Sequence, residues 1–358
     1  MKKIDLYIIR KFLGTFFLSM SLIIIIVVIF DLSENIDDLI ETRAPLSGII
    51  FDYYLNFIPY FVNLFSPLFT FIAVVFFTSQ MATRTEIVAI LGGGISFRRM
   101  LVPYLIGALF LTVMSFYLAN FLIPLTNKNM LAFKNTYIRN KYHNTNTNIH
   151  MQISPGTFIY VQRYSVETNT GYNFTMEKFN SGSMFYKMNA ARIIYDSSTS
   201  RWTINDYSIR LVNGMQERLV FGRKMDTALN LTPGDFYRKD DNMDVMNFSQ
   251  LRTFIDEEKM KGSDNIRLYE VEKHRRIAFP FASIVLTIIG VSVSSRKVRG
   301  GIGLHIAFGM AITFSFVLFL RVTETFATYG NLPPFLAVWL PNVVYGLLGL
   351  YLLRIAPK

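Results

Sequence analysis

Between Phe12 and Phe30 the chain carries no charged side chain. Comparable apolar runs recur from about Tyr53 to Thr78, Leu101 to Pro124, Ile277 to Val293, Ile302 to about Thr323 and Leu336 to Leu353. About 20 apolar residues wound as a helix cross a ~30 Å hydrocarbon core, so each run reads as a membrane span. With 51% hydrophobic residues, including 33 Phe and 19 Tyr, the composition agrees with an integral membrane protein. The fold class expected is an α-helical bundle of six transmembrane helices with an inserted, all-β, jelly-roll-like domain: residues 1–124 hold spans one to three, 125–265 the β domain, and 266–358 spans four to six.

The net charge of +11 could suggest nucleic acid, but the positions of the cations argue against it. Lys2, Lys3, Arg10, Lys11, Arg84, Arg98, Arg99, Arg296, Lys297, Arg299, Arg354 and Lys358 flank apolar spans on one side, and the short loops of the other side offer only Arg43. The positive-inside rule therefore puts both termini and the loop near residue 90 in the cytoplasm, and the inserted domain on the outer side of the membrane. Lys273, His274, Arg275 and Arg276 run against this bias, which a long preceding domain weakens. The N-terminus looks like a signal-peptide n-region, but no small-x-small cleavage site follows Phe30, so it is read as a retained span. The chain has no cysteine, which excludes disulfides and thiolate metal sites.

Past Leu125 the pattern turns to short alternation. Thr157–Ser165, the spaced set Met184, Tyr186, Met188 and Ala190, and the run from Trp202 through Leu211 to Asn213-Gly214 read as strands joined by tight turns. An all-β sandwich or jelly roll is expected. Three Asn-x-Ser/Thr matches in this region, at Asn173, Asn230 and Asn247, are read as chance. Asn247 with Gln250 has the form of a capping box opening a helix that Gly262 closes.

The stretch from Thr83 to Arg99 stands apart. Ile87, Ile90 and Leu91 recur at helical spacing behind Glu86, and Gly92-Gly93-Gly94 then stop the helix. The glycines precede no Lys-Ser or Lys-Thr, so this is not a phosphate-cradling loop. A short amphipathic helix between two spans suits docking into a groove of a soluble partner, although an ordinary interfacial loop has the same pattern.

These features together resemble the LptF/LptG permease family of the lipopolysaccharide exporter. The resemblance rests on Ile4-Asp5-Leu6-Tyr7-Ile8 with Asp31-Leu32, Glu86-Ile87-x-Ala89 leading to Gly94-Ile95-Ser96, and Trp202 with Asn213-Gly214. It continues through Ala278-Phe279-Pro280-Phe281-Ala282 and Leu332-Pro333-Pro334, then Trp339-Leu340-Pro341-Asn342, in this order over nearly the whole chain. It implies a permease without an ATP site or cofactor of its own, paired with a second, related six-span permease. It also implies a cytoplasmic ABC ATPase dimer beneath, extraction of lipopolysaccharide from the outer leaflet of the inner membrane, and passage of the lipid to a periplasmic bridge protein of similar β fold. The compact length and simple C-terminus favour the LptG-like partner. The Glu86 helix corresponds to the family's coupling helix, so Arg84, Glu86, Ile87, Ile90, Leu91 and Gly94 are expected to serve ATPase coupling. Leu91 stands where the family often has a basic residue, and Gly92-Gly93 replace alanine-like helix formers at roughly 1 kcal/mol each.

Other candidates carry two readings each. Lys128, Lys134, Arg139, Lys273, Arg275 and Arg276 bracket the inserted domain and either snorkel at the interface or meet lipid phosphates. Arg321 and Glu324, three apart, form a structural pair or belong to a lateral gate. Phe158, Tyr160, Met184, Tyr186, Met188, Trp202 and Ile204 are either packed core or the lining of an acyl-chain path. His143, His150, His274 and His305 are scattered without metal-ligand spacing, so no metal is expected. A secondary carrier is disfavoured by spans nearly free of ionisable groups. A membrane-anchored β-domain sensor or enzyme is disfavoured by the lack of a catalytic constellation. A permease of another ABC-type lipid or lipoprotein exporter stays open, although a lipoprotein-release type usually carries its large domain after the first span.

Overall fold

The computed structural model describes residues 3–138, 147–180, 182–236, 240–263, 265–295 and 301–356. Arg139 and His143 lie outside them. The chain divides into two compact units, one of residues 1–140, 244–251 and 267–358, the other of 141–243 and 252–266.

The first unit is helical. Helix α1 runs Lys3–Glu41. A π-helical turn, Gly48–Tyr54, leads into α2, Leu55–Thr83; α3 is Glu86–Gly92, α4 is Phe97–Tyr117, and α5 is Ile123–Tyr137. After the β domain come α6, Phe248–Lys261, most of which belongs to the second unit; α7, Ile266–Ala278; α8, Ala282–Ser294; α9, Gly301–Tyr329; and α10, Pro334–Ile355. Among the described residues, six continuous helical stretches are long and apolar enough to span a membrane. Their ends differ from the apolar boundaries. The acidic residues after Phe30 stay on α1 to Glu41, and the third span continues through Pro124 to Tyr137. Pro124 cannot donate to the carbonyl four residues back. The ladder relaxes into a π-helical turn, Leu118–Leu122, and goes on.

The α7–α8 junction shows how a break is tolerated in this bundle. Pro280 removes the donor that Arg276 O would receive in a continuous helix, and Phe279–Phe281 tightens into a 3₁₀ turn. Side chains of other helices take the freed carbonyls. Asn120 Nδ2 donates to Arg276 O (3.4 Å), Asn342 Nδ2 to Ala278 O (2.9 Å) and Thr112 Oγ1 to Pro280 O (3.2 Å). Asn342 is buried, so Asn342→Leu leaves an acceptor without water or partner and should cost about 1–3 kcal/mol, read as a lowered thermal midpoint in detergent. An unchanged midpoint would show that this bond contributes nothing net.

Two glycines let helices meet closely. A Cβ on Gly107 would lie 2.6 Å from the Phe12 ring, and one on Gly309 would lie 2.2 Å from the Phe71 ring. Phe12 and Phe71 are themselves fully buried, so the small residue is what admits the ring.

The second unit is a six-stranded antiparallel sheet in sequence order: β1 Thr147–Ser154, β2 Thr157–Ser165, β3 Thr170–Asn180, β4 Ser183–Asp196, β5 Arg201–Asn213 and β6 Gln216–Thr227. The strands expected from alternation are β2, β4 and β5; β1, β3 and β6 complete a meander. One face is packed around Trp202, which is fully buried and donates from Nε1 to Leu231 O (2.8 Å), while Phe236 stacks on Tyr164 at 4.5 Å. The inward phase slips midway along the strands. Val161 and Tyr164, and likewise Gly171 and Phe174, are buried three apart, and Asn173 and Asp206 adopt positive φ (51° for each). A left-handed residue in a strand turns the alternation over, and Asn and Asp tolerate it best. Asp235, beyond β6, accepts from Lys261 Nζ (2.7 Å) and from Thr232 N (2.8 Å). Burial opposes its ionisation, but these donors outweigh that and hold its carboxyl below the usual range.

Candidate coupling site

Helix α2 ends at Thr83, and Arg84 caps it with its N–H on Gln80 O (3.0 Å). Thr85 then takes a left-handed conformation (φ 61°), which a β-branched residue rarely adopts, and the chain turns sharply into α3. At the other end the glycines act together. Gly94 is left-handed (φ 83°), its N–H bonds Leu91 O (3.0 Å), and Ile95 N–H reaches Ile90 O (3.4 Å). This is a Schellman closure, for which glycine at the left-handed position is the favoured residue. Ser96 starts α4 by accepting Arg99 N–H on its hydroxyl (3.4 Å).

Seven residues are too few to hold a helix in water, so α3 is stable through what it packs on. Ile87, 2% exposed, sits in a cluster with Ile8, Phe12, Phe77, Met81, Phe97 and Tyr104, and Ile90 and Leu91 pack against its edge. These apolar positions therefore anchor the helix in its own bundle. The opposite face presents Val88, 67% exposed, beside exposed Ala89, Arg84 and Arg98. Glu86 is half-buried at the first turn, where Tyr7 Oη donates to its Oε2 (3.2 Å). Arg99 forms a forked pair with buried Asp5, Nη1 to Oδ1 at 2.8 Å and Nη2 to Oδ2 at 2.6 Å. Neither Tyr7 nor Asp5 stood among the expected site residues. The only signal was their place in the Ile4–Ile8 motif.

The remaining expected residues fall in separate places. Lys128 and Lys134 lie on α5, the first exposed and the second half-buried. Lys273, Arg275 and Arg276 lie on α7. Glu272 accepts from both arginines, at 2.8 Å from Arg275 Nε and 2.9 Å from Arg276 Nε, so their charge is largely met within the helix. Arg321 Nη1 donates to Glu324 Oε2 (3.1 Å), with the arginine open and the carboxylate buried. In the sheet, Met188, Trp202 and Ile204 are buried on the packed face, and Tyr186 flanks them, with Met184 next in the same alternation. Phe158 and Tyr160 do not share that face. The register pairs their neighbours Ile159 and Val161 with Met176 and Phe174 inside, which leaves Phe158 42% exposed against Phe179 and Tyr160 bonded to Asn148. No group of three or more His, Cys, Asp or Glu with metal-holding geometry occurs among the described residues.

Six candidate spans among the described residues, a β domain inserted between the third and fourth, and a short docked helix between the second and third define a multi-pass membrane protein. The family model for the lipopolysaccharide export system permease LptF/LptG matches residues 6–355, and the chain belongs to that family. It is accordingly a multi-pass protein of the inner membrane. No curated protein matches it.

Proposed function

We propose that this chain is the permease subunit of an ATP-driven complex that extracts lipopolysaccharide from the outer leaflet of the inner membrane and passes it to a periplasmic bridge. The observation that carries this reading is α3, an amphipathic helix anchored by Ile87 with a charged and apolar face left open, in a chain without a phosphate-cradling motif. ATP is hydrolysed on a separate ABC ATPase dimer in the cytoplasm, where both termini also lie. Glu86 meets a cation of that ATPase, with Arg84, Val88 and Arg98 around it. A second, related permease covers part of the apolar surface of α1, where Leu18, Leu22, Ile25, Ile29 and Phe30 are exposed.

The inserted domain, spanning about residues 125–265, stands in the periplasm. Its inward face is filled around Trp202, yet toward the β5–β6 tip Leu211 and Val220 on that face stay 39% and 37% exposed. An apolar face that its own chain does not fill suits acyl chains. β1 and β6 are the edge strands of the sheet, and a bridge protein of similar fold joins at one of them by strand addition. For the lipid phosphates, Lys128, Lys134 and Lys273 are better placed than Arg275 and Arg276, which Glu272 already engages.

Affinity purification of the tagged chain in mild detergent tests the reading. A soluble ABC ATPase, a second six-span chain and lipopolysaccharide should be recovered with it. Recovery of the chain alone, or with an ATPase and a lipoprotein in place of lipopolysaccharide, would overturn it.

A further inference from the structure

The backbone leaves α3 loosely specified. Left-handed residues at Thr85 and Gly94 bound it, so neither α2 nor α4 continues into α3, and the apolar contacts of Ile87, Ile90 and Leu91 are non-directional and do not by themselves fix its roll. Two side-chain tethers remove that freedom, and both come from the first two turns of α1. Tyr7 Oη holds Glu86 at the start of α3, and the Asp5 carboxylate holds Arg99 in the first turn of α4. The Tyr7 ring is itself fixed edge-on against Phe77 of α2, with centroids 6.0 Å apart. Asp5 is 6% exposed and the Arg99 side chain 41%, and the forked, bidentate form of the pair fixes where the two groups meet.

We propose that Tyr7 is a positioning residue for the coupling carboxylate, and that the N-terminal end of α1 acts as a two-point clamp on the α3 segment. Tyr7 points one Glu86 oxygen at itself and leaves the other free for the partner. With Asp5 holding the start of α4, the end of α1 grips the chain on both sides of the loop at residues 93–96, and a displacement of α3 is delivered to α1 through Glu86 and Tyr7. The inference rests on the reading of α3 as the ATPase contact.

The test uses the full chain assembled with its ATPase and second permease in vesicles containing lipopolysaccharide. Tyr7→Phe removes only the hydroxyl and keeps the ring against Phe77. It should lower the lipopolysaccharide extracted per ATP by about tenfold, the size expected of one hydrogen bond to a charged group, without moving the thermal midpoint of the chain. Combined with Glu86→Ala it should add nothing, because both changes remove the same bond. If Glu86→Ala impairs extraction while Tyr7→Phe is silent, or if the two losses multiply, the clamp is wrong and the ATPase reading stands. If Glu86→Ala is itself silent, both fall.

Discussion

Replacing Glu86 by alanine is expected to leave the chain folded and inserted but to cut lipopolysaccharide export by roughly 30-fold or more. That is the loss that follows when one partner of a buried interfacial charge pair is truncated. The fold survives because Glu86 contributes no packing to the cluster around Ile87; its one described bond is to the Tyr7 hydroxyl. The loss is expected in export because the carboxylate sits on the first turn of α3, beside the open face of Val88 and Ala89, where the proposed ATPase contact falls. Export measured in reconstituted vesicles, with ATPase recovery on the purified complex as the second reading, decides the matter. Normal export together with normal recovery would remove Glu86 from the coupling contact.

Gly309→Val is expected to have the largest effect on stability, about 3 kcal/mol, seen as a marked fall in thermal midpoint and in yield from detergent. A Cβ at Gly309 would stand 2.2 Å from Phe71 Cε1. Phe71 is 1% exposed, and its ring also lies 3.6 Å from where a Cβ on Gly290 would be, so it has no free side to move toward. The combination Gly309→Val with Phe71→Ala should recover part of the loss, since it restores the room the valine takes. No recovery would place the cost in the helix α9 backbone and not in the ring contact.

The segmentation into spans and an inserted β domain was legible because a long apolar run is a redundant signal that many residues carry together. Helix ends were not. Hydropathy reports where lipid ends, while Asp37, Asp38 and Glu41 sustain a helix perfectly well beyond it, so α1 outruns its apolar core. Strands β2, β4 and β5 showed their alternation. In contrast, β6 is an edge strand exposed along most of its length, and the alternation of β3 turns over at Asn173, so neither has the period-two pattern of a half-buried strand. In the site, α3 could be read from the spacing of Ile87, Ile90 and Leu91 and from its glycines. The bonds that hold it could not, because Tyr7–Glu86 and Asp5–Arg99 join residues 79 and 94 positions apart, a distance at which sequence periodicity is silent.

Helix α1 is 39 residues long and has no proline within it. At 1.5 Å per residue it is a rod of roughly 58 Å, almost twice the thickness of a bilayer's hydrocarbon core. If such a rod tilts by roughly 10° about the end that holds Asp5 and Tyr7, its opposite end, near Glu41, moves through roughly 10 Å.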